Sequence, residues 1–224
     1  MKPTAFPTPQ AILFDLDGTL VDTADDLGAA LNAVLARRGL PPCTAEQYRP
    51  VASHGAKGLL TLGFGAALAD YDFTELRTEL LSYYAEHIAV HSRVFAGGDT
   101  LIATLDRLQL PWGIVTNKPY ALAARLVKQI PSLANCGILL GGDSLAQRKP
   151  DPTPLRVACY QLAVKPIHCW YVGDAERDIT AGRNAGMPTV LANFGYLAAS
   201  DAVELWQADM RIDALSDLLP CLLP

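Results

Sequence analysis

Several acids, a lysine and a threonine stand where short apolar runs stop. AILF (Ala11 to Phe14) is followed at once by Asp15 and Asp17 in "DLDGTLVDT", the run Trp112 to Val115 by Thr116 in "VTNKP", and the run Cys169 to Val172 by Asp174 in "YVGDAERDI", with Asp178 just beyond. Side chains two apart on a strand point the same way, so Asp15 and Asp17 are expected to converge as the strand gives way to the Gly18 turn. Two carboxylates that close repel and shift each other's proton affinity unless a cation sits between them. A hard cation suits the set: Mg2+ binds through one or two carboxylates together with water and phosphate oxygens, and Asp174 supplies a third acid. No Cys/His ligand set competes.

A phosphoryl group needs opposing charge and donors, because its transfer depends mainly on positioning and electrostatics. Lys149 in "RKPDP" supplies the charge. Pro150 holds Lys149 extended, Asp151 can cap the next helix, and Pro152 fits that helix's first turn. Thr116 offers a hydroxyl, and the backbone N–H of Asn117 lies beside it.

The elements that must hold these groups are legible in outline. Uninterrupted apolar runs recur at Ala11 to Phe14, Trp112 to Val115, Gly137 to Leu140, Cys169 to Val172 and Thr189 to Ala192, mostly separated by segments of helical spacing. Strands apolar on both faces and alternating with helices imply an α/β fold with a doubly wound parallel sheet, in which ligands sit at the carboxyl ends of the strands. The long stretch between the first strand and "PWGIVTNKP" breaks the alternation and holds no convincing strand, so it reads as an insertion. Asp26 to Leu40 and Phe73 to Val90 have helical periodicity within it. The expected organisation is a catalytic core of residues 1–21 and 91–224, with a small helical cap over 22–90. Pro3, Pro7 and Pro9 work against regular structure in residues 1–9.

Composition narrows the partners. With 18 Lys+Arg against 23 Asp+Glu, a formal charge of -5, and no basic run, neither nucleic acid nor a membrane surface is an expected partner. The five cysteines are an odd count with no C-x-x-C pair, which fits reduced thiols in the cytoplasm rather than a disulfide framework. Half the residues are hydrophobic, ample for a core. The AILF run is too short for a signal-peptide core or a membrane span.

Together and in this order, DLDGTLVDT, VTNKP, RKPDP and GDAERD resemble the haloacid dehalogenase superfamily of phosphatases, from about Ala11 to the chain's end. The resemblance implies that Asp15 is a nucleophile forming an aspartyl-phosphate, and that Asp17 protonates the leaving alcohol and then activates water. It further implies that Asp15, the Asp17 backbone carbonyl and Asp174 hold Mg2+ with Asp178 as an outer partner, while Thr116 and Lys149 bind phosphoryl oxygens. An acid at position 17 favours phosphate-ester hydrolysis over dehalogenation. The insertion resembles the family's cap, which closes to exclude water and read the leaving group.

Within the superfamily, TNKP and KPDP are similar to the phosphoglycolate phosphatases and to the N-acetylmuramic acid 6-phosphate phosphatases, and "VHSRVF" (Val90 to Phe95) leans toward the latter. Both act on phosphomonoesters that carry a carboxylate. In "SHGAKG" (Ser53 to Gly58), His54 and Lys57 are candidate substrate-binding cap residues, with Asn117 the candidate on the core side. "FAGG" departs from relatives that have proline after the aromatic residue.

Other motifs carry less. His87 and His91 have helical metal-pair spacing without the acid of H-E-x-x-H, "GFGAAL" lacks the last glycine of a dinucleotide loop, and the P-loop and G-x-S-x-G patterns are missing. Two further activities are compatible with the site residues: a sugar phosphomutase, and a phospho-accepting signalling module, although receivers of that kind are much shorter and lack the insertion. Monomer and homodimer both remain compatible with the sequence.

Overall fold

A computed structural model of the chain describes residues 8–222, so most of the proline-bearing start lies outside the described residues. β1 (Ala11–Phe14) is buried along its whole length, as four apolar residues must be in a sheet covered on both sides. The chain turns through Gly18 into β2 (Val21–Asp22), which pairs antiparallel with β3 (Arg93–Val94) at the root of the inserted segment. β4 (Trp112–Val115), β5 (Leu139–Leu140), β6 (Cys169–Gly173), β7 (Thr189–Ala192) and β8 (Met210–Ile212) complete the strands. The main sheet has six strands in the order β5-β4-β1-β6-β7-β8, parallel at every junction. The chain builds outward from β1 to β5 and then returns to β6 on the other side, so the order reverses at β1. That reversal point is where a doubly wound sheet opens a ligand crevice.

The insertion comprises α1 (Ala24–Ala36), α2 (Ala45–Tyr48), α3 (Gly55–Phe64) and α4 (Phe73–Glu86). Leu27, Leu31, Leu35, Leu60, Leu76, Leu80 and Tyr84 pack into a core of its own. Each such side chain contributes roughly 1.5–3 kcal/mol by leaving water. Asp26 of α1 accepts hydrogen bonds from the His91 and Ser92 N–H groups, each at 2.9 Å, and from Ser92 Oγ at 2.6 Å, fastening the insert's first helix to the segment that leads into β3. Helices α5 (Gly98–Arg107), α6 (Tyr120–Gln129), α7 (Thr153–Gln161), α8 (Glu176–Ala185) and α9 (Leu219–Leu222) belong to the core domain. Two buried clusters flank the sheet, one around Ile12, Phe14 and Trp170, the other around Leu13, Val115 and Tyr171. Alternate residues of β1 and β6 feed opposite faces, as the two-residue period requires.

Several elements differ from the sequence reading. Only Leu139–Leu140 of the run beginning at Gly137 forms a strand, at the sheet's edge. The β2–β3 pair and β8 are two or three residues long, too short for a periodic signature. Helix α4 stops at Glu86, where His87 leaves the helical backbone at φ -116 and ψ 31, and Ala89 then turns left-handed at φ 61, which puts His91 outside the helix. Among the described residues no helix is long and apolar enough to cross a membrane.

Candidate active site

Asp15 directly follows β1 and is still in sheet register, its N–H donating to Val172 O at 2.8 Å. Its Oδ1 accepts from Leu16 N–H at 2.7 Å and lies 2.9 Å from Lys149 Nζ. After Leu16 the chain leaves the extended state: Gly18 takes φ 84 and donates to Val21 O. The side-chain alternation lapses there. Asp17 consequently has different partners, accepting at Oδ1 from Lys118 Nζ at 2.9 Å and from Thr23 Oγ1 at 2.6 Å.

The carboxylates that gather are Asp15, Asp174 and Asp178, all buried, with oxygens within 4.8 Å of one another. Asp174, just past β6, accepts from Thr19 Oγ1 at 3.1 Å, Tyr196 N–H at 2.9 Å and Ser53 Oγ at 2.8 Å, the last from the cap. Asp178, in the first turn of α8, accepts from Ala175 N–H at 3.0 Å. Burial, then the Asp178 and Asp15 charges, push the Asp174 carboxyl up to about 7. Burial acts on Asp15 in the same direction, but Lys149 and then Arg177 outweigh it and hold that carboxyl below the usual range. Three carboxylates against two cations leave negative charge over, which a divalent ion with oxygen ligands would cancel. The donor set therefore fits Mg2+.

The carboxylate pocket is walled by glycine. A Cβ on Gly18 would run into Asp174 Oδ2, and one on Gly195 into the Asp174 Cβ. Gly18→Ala, which adds that clash to a left-handed φ, is expected to cost about 1–3 kcal/mol and to weaken divalent-ion binding. Thermal unfolding with and without Mg2+ checks this, and an unchanged melting temperature in both conditions would refute it.

Lys149 is held where α7 begins. Asn117 Nδ2 donates to Lys149 O at 2.9 Å and Asp151 Oδ1 accepts from Thr153 N–H at 2.8 Å. Its side chain is 1% exposed, with Nζ 2.7 Å from Asp178 Oδ1, 2.9 Å from Val115 O and 2.7 Å from the Tyr171 hydroxyl. Thr116, past the end of β4, is buried and accepts from Lys118 N–H at 3.2 Å. Asn117 Oδ1 is buried without a partner.

These groups share a cavity of about 1370 Å³ with the cap residues His54, Lys57, Arg77 and Tyr84. Asp15, Asp17, Thr116, Asn117 and Lys149 lie on its core side, while Asp174 and Asp178 sit behind Asp15 in the carboxylate cluster. Residues missed in the sequence also line it. Lys118 pairs with Asp17 and lies 4.2 Å from the centre of the Tyr84 ring on α4, and Arg177 stands beside Asp15. Both fall inside the motifs TNKP and GDAERD, so their positions were available. Their contacts depend on chain direction beyond the strand ends, which spacing does not encode.

A parallel sheet with reversal at β1, a carboxylate cluster at its carboxyl edge and an inserted helical cap define the haloacid dehalogenase-like hydrolases. The model of that family matches residues 12–192, and the chain belongs to it. The chain is similar over nearly its whole length to a phosphoglycolate phosphatase of Xanthomonas campestris pv. campestris, 44% identical with 92% of each chain covered. It is likewise similar to an N-acetylmuramic acid 6-phosphate phosphatase of Pseudomonas aeruginosa, 38% identical with 95% of this chain and 94% of the relative covered. Among solved structures, a predicted phosphoglycolate phosphatase from Haemophilus somnus 129PT superposes with a TM-score of 0.84 at 27% identity, covering 94% of this chain and 96% of that one. The protein is an enzyme of this hydrolase family, with phosphatases as its relatives.

Proposed function

We propose that the protein hydrolyses a small anionic phosphomonoester in the cytoplasm, with Mg2+ and through an aspartyl-phosphate on Asp15. The observation that carries this reading is a buried Asp15 carboxylate, kept ionised by Lys149 and Arg177, in a cavity that also presents Thr116 and Asp17. Asp15 attacks phosphorus, while Lys149 and Thr116 bind the phosphoryl oxygens and the leaving alcohol takes a proton from Asp17. Asp17 then takes a proton from water, which attacks the phosphoryl group and frees Asp15. Asp15, Asp174 and the Asp17 carbonyl would hold Mg2+ with Asp178 behind them, and the ion would supply charge neutralisation to the transferring group.

The leaving group faces the cap. Lys57 and Arg77 line the cavity and, among the described residues, make no hydrogen bond or ion pair. Two unpaired cations favour a substrate with a carboxylate beside its phosphate, and 2-phosphoglycolate is the leading candidate. One observation favours N-acetylmuramic acid 6-phosphate instead: the cavity of about 1370 Å³, walled by Val51, Leu62 and Leu81, exceeds the roughly 300–1,000 Å³ of ordinary ligand pockets. Comparing kcat/KM for the two esters on one preparation, with and without EDTA, decides between them. Failure to hydrolyse either with Mg2+ present would remove the reading. Lys57→Ala is expected to lower kcat/KM on the preferred carboxylated ester about tenfold, one charge-assisted hydrogen bond. Its effect on p-nitrophenyl phosphate, which has no carboxylate, is expected to be much smaller. Equal losses on both would show that Lys57 does not read the carboxylate.

A further inference from the structure

Arg177 occupies the second position of α8, directly before Asp178. Its side chain is only 20% exposed, and it lines the catalytic cavity. A guanidinium carries five N–H donors, yet the Arg177 side chain makes no hydrogen bond among the described residues, and its Nε is buried without a partner. The two cations nearby are different: Lys149 and Lys118 each sit within 2.9 Å of a carboxylate oxygen. The one ion pair of Arg177 is longer, Nη2 standing 3.9 Å from Asp15 Oδ2, beyond hydrogen-bond range.

A buried charged N–H without an acceptor, such as Nε here, is costly. The fold nevertheless keeps this one next to the carboxylate that the proposed reaction uses, and on the side of Asp15 that Lys149 leaves open, since Lys149 engages Oδ1. The fixed fork of a guanidinium matches the paired oxygens of a phosphoryl group. We propose that Arg177 is a second phosphoryl-binding cation, donating to the oxygens of the group being transferred to Asp15, opposite Lys149. The inference rests on the phosphatase reading given above. On this reading the acceptor for the Arg177 fork arrives with the substrate.

A different role, neutralising Asp15, Asp174 and Asp178 without touching substrate, predicts other behaviour. Orthovanadate, which imitates the five-coordinate phosphorus of the transfer step, separates the two when used against p-nitrophenyl phosphate turnover at saturating Mg2+. In Arg177→Gln its inhibition constant is expected to rise at least about tenfold over the unsubstituted protein, the range of a charge-assisted hydrogen bond. Arg177→Lys, which keeps the charge but loses the fork, is expected to fall between. Mg2+ binding measured by calorimetry without substrate or phosphate is expected to change by less than about twofold in Arg177→Lys, whose net charge is unaltered. If vanadate inhibits both variants as it does the unsubstituted protein, the inference is overturned and Arg177 is a counter-charge alone. If vanadate fails to inhibit the unsubstituted protein, the phosphoryl-transfer reading itself falls, and the assignment of Arg177 goes with it.

Discussion

Asp15→Asn is expected to lower kcat by at least about 10⁴-fold, the scale on which removal of a covalent nucleophile operates. The substitution keeps the size of the side chain. An amide oxygen can still accept from Leu16 N–H and from Lys149 Nζ, the two contacts made by Asp15 Oδ1. What disappears is the negative charge, and with it the capacity to attack phosphorus or to share a divalent ion. The fold is expected to survive, because burying a neutral amide with partners costs less than burying a charge. Single-turnover assay with p-nitrophenyl phosphate, alongside near-ultraviolet circular dichroism, makes the comparison. Residual activity within about tenfold of the unsubstituted protein would remove Asp15 from the nucleophile's role.

The second large effect is on stability. Lys149→Met leaves Asp15 and Asp178 in place with their shared cation gone, at a position where the lysine side chain is 1% exposed. Breaking a buried pair by deleting one partner costs about 3–5 kcal/mol. For a chain of this size that lowers the melting temperature by roughly 6–20 °C. The variant's carboxylate cluster is also one positive charge poorer, so a divalent ion gains more by binding it. An ion that binds only the folded state stabilises by mass action, and Mg2+ is therefore expected to raise the melting temperature of Lys149→Met by more than that of the unsubstituted protein. Calorimetric scans at matched Mg2+ concentrations read both effects. A shift under about 2 °C, unaltered by the ion, would show that Lys149 does not balance these acids.

The sequence exposes those parts of this fold whose chemistry is local. β1, β4 and β6 are runs of four or five apolar residues, buried throughout, and a run buried on both faces cannot hide its character. Asp15, Thr116 and Asp174 could be placed because each immediately follows one of those strands, and parallel strands deliver their ends to the same edge. Lys149 could be placed because Pro150 and Asp151 fix the loop around it.

Other features depend on tertiary context. The two-residue period that aims Asp15 and Asp17 alike holds only while the chain is extended, and the Gly18 turn ends it. Ser53 reaches Asp174 at 2.8 Å from a residue 121 positions earlier in the chain, a contact created by the docking of the cap. Lys118 and Arg177 sit inside recognised motifs, but a motif's spelling does not say which way a long side chain folds back. The end of α4 comes where His87 leaves the helical backbone and Ala89 then turns left-handed, which neither residue type announces.

The pairing of Val21 with Val94 and of Asp22 with Arg93 brings the two crossings between the domains together as adjacent strands. Everything between them is a closed excursion whose ends already meet, so the length and sequence of that excursion place no demand on the register of the six-stranded sheet. The carboxylate edge and the helical bundle are thereby separable in inheritance: a differently shaped bundle grafted onto the same short ribbon would meet an unaltered carboxylate edge.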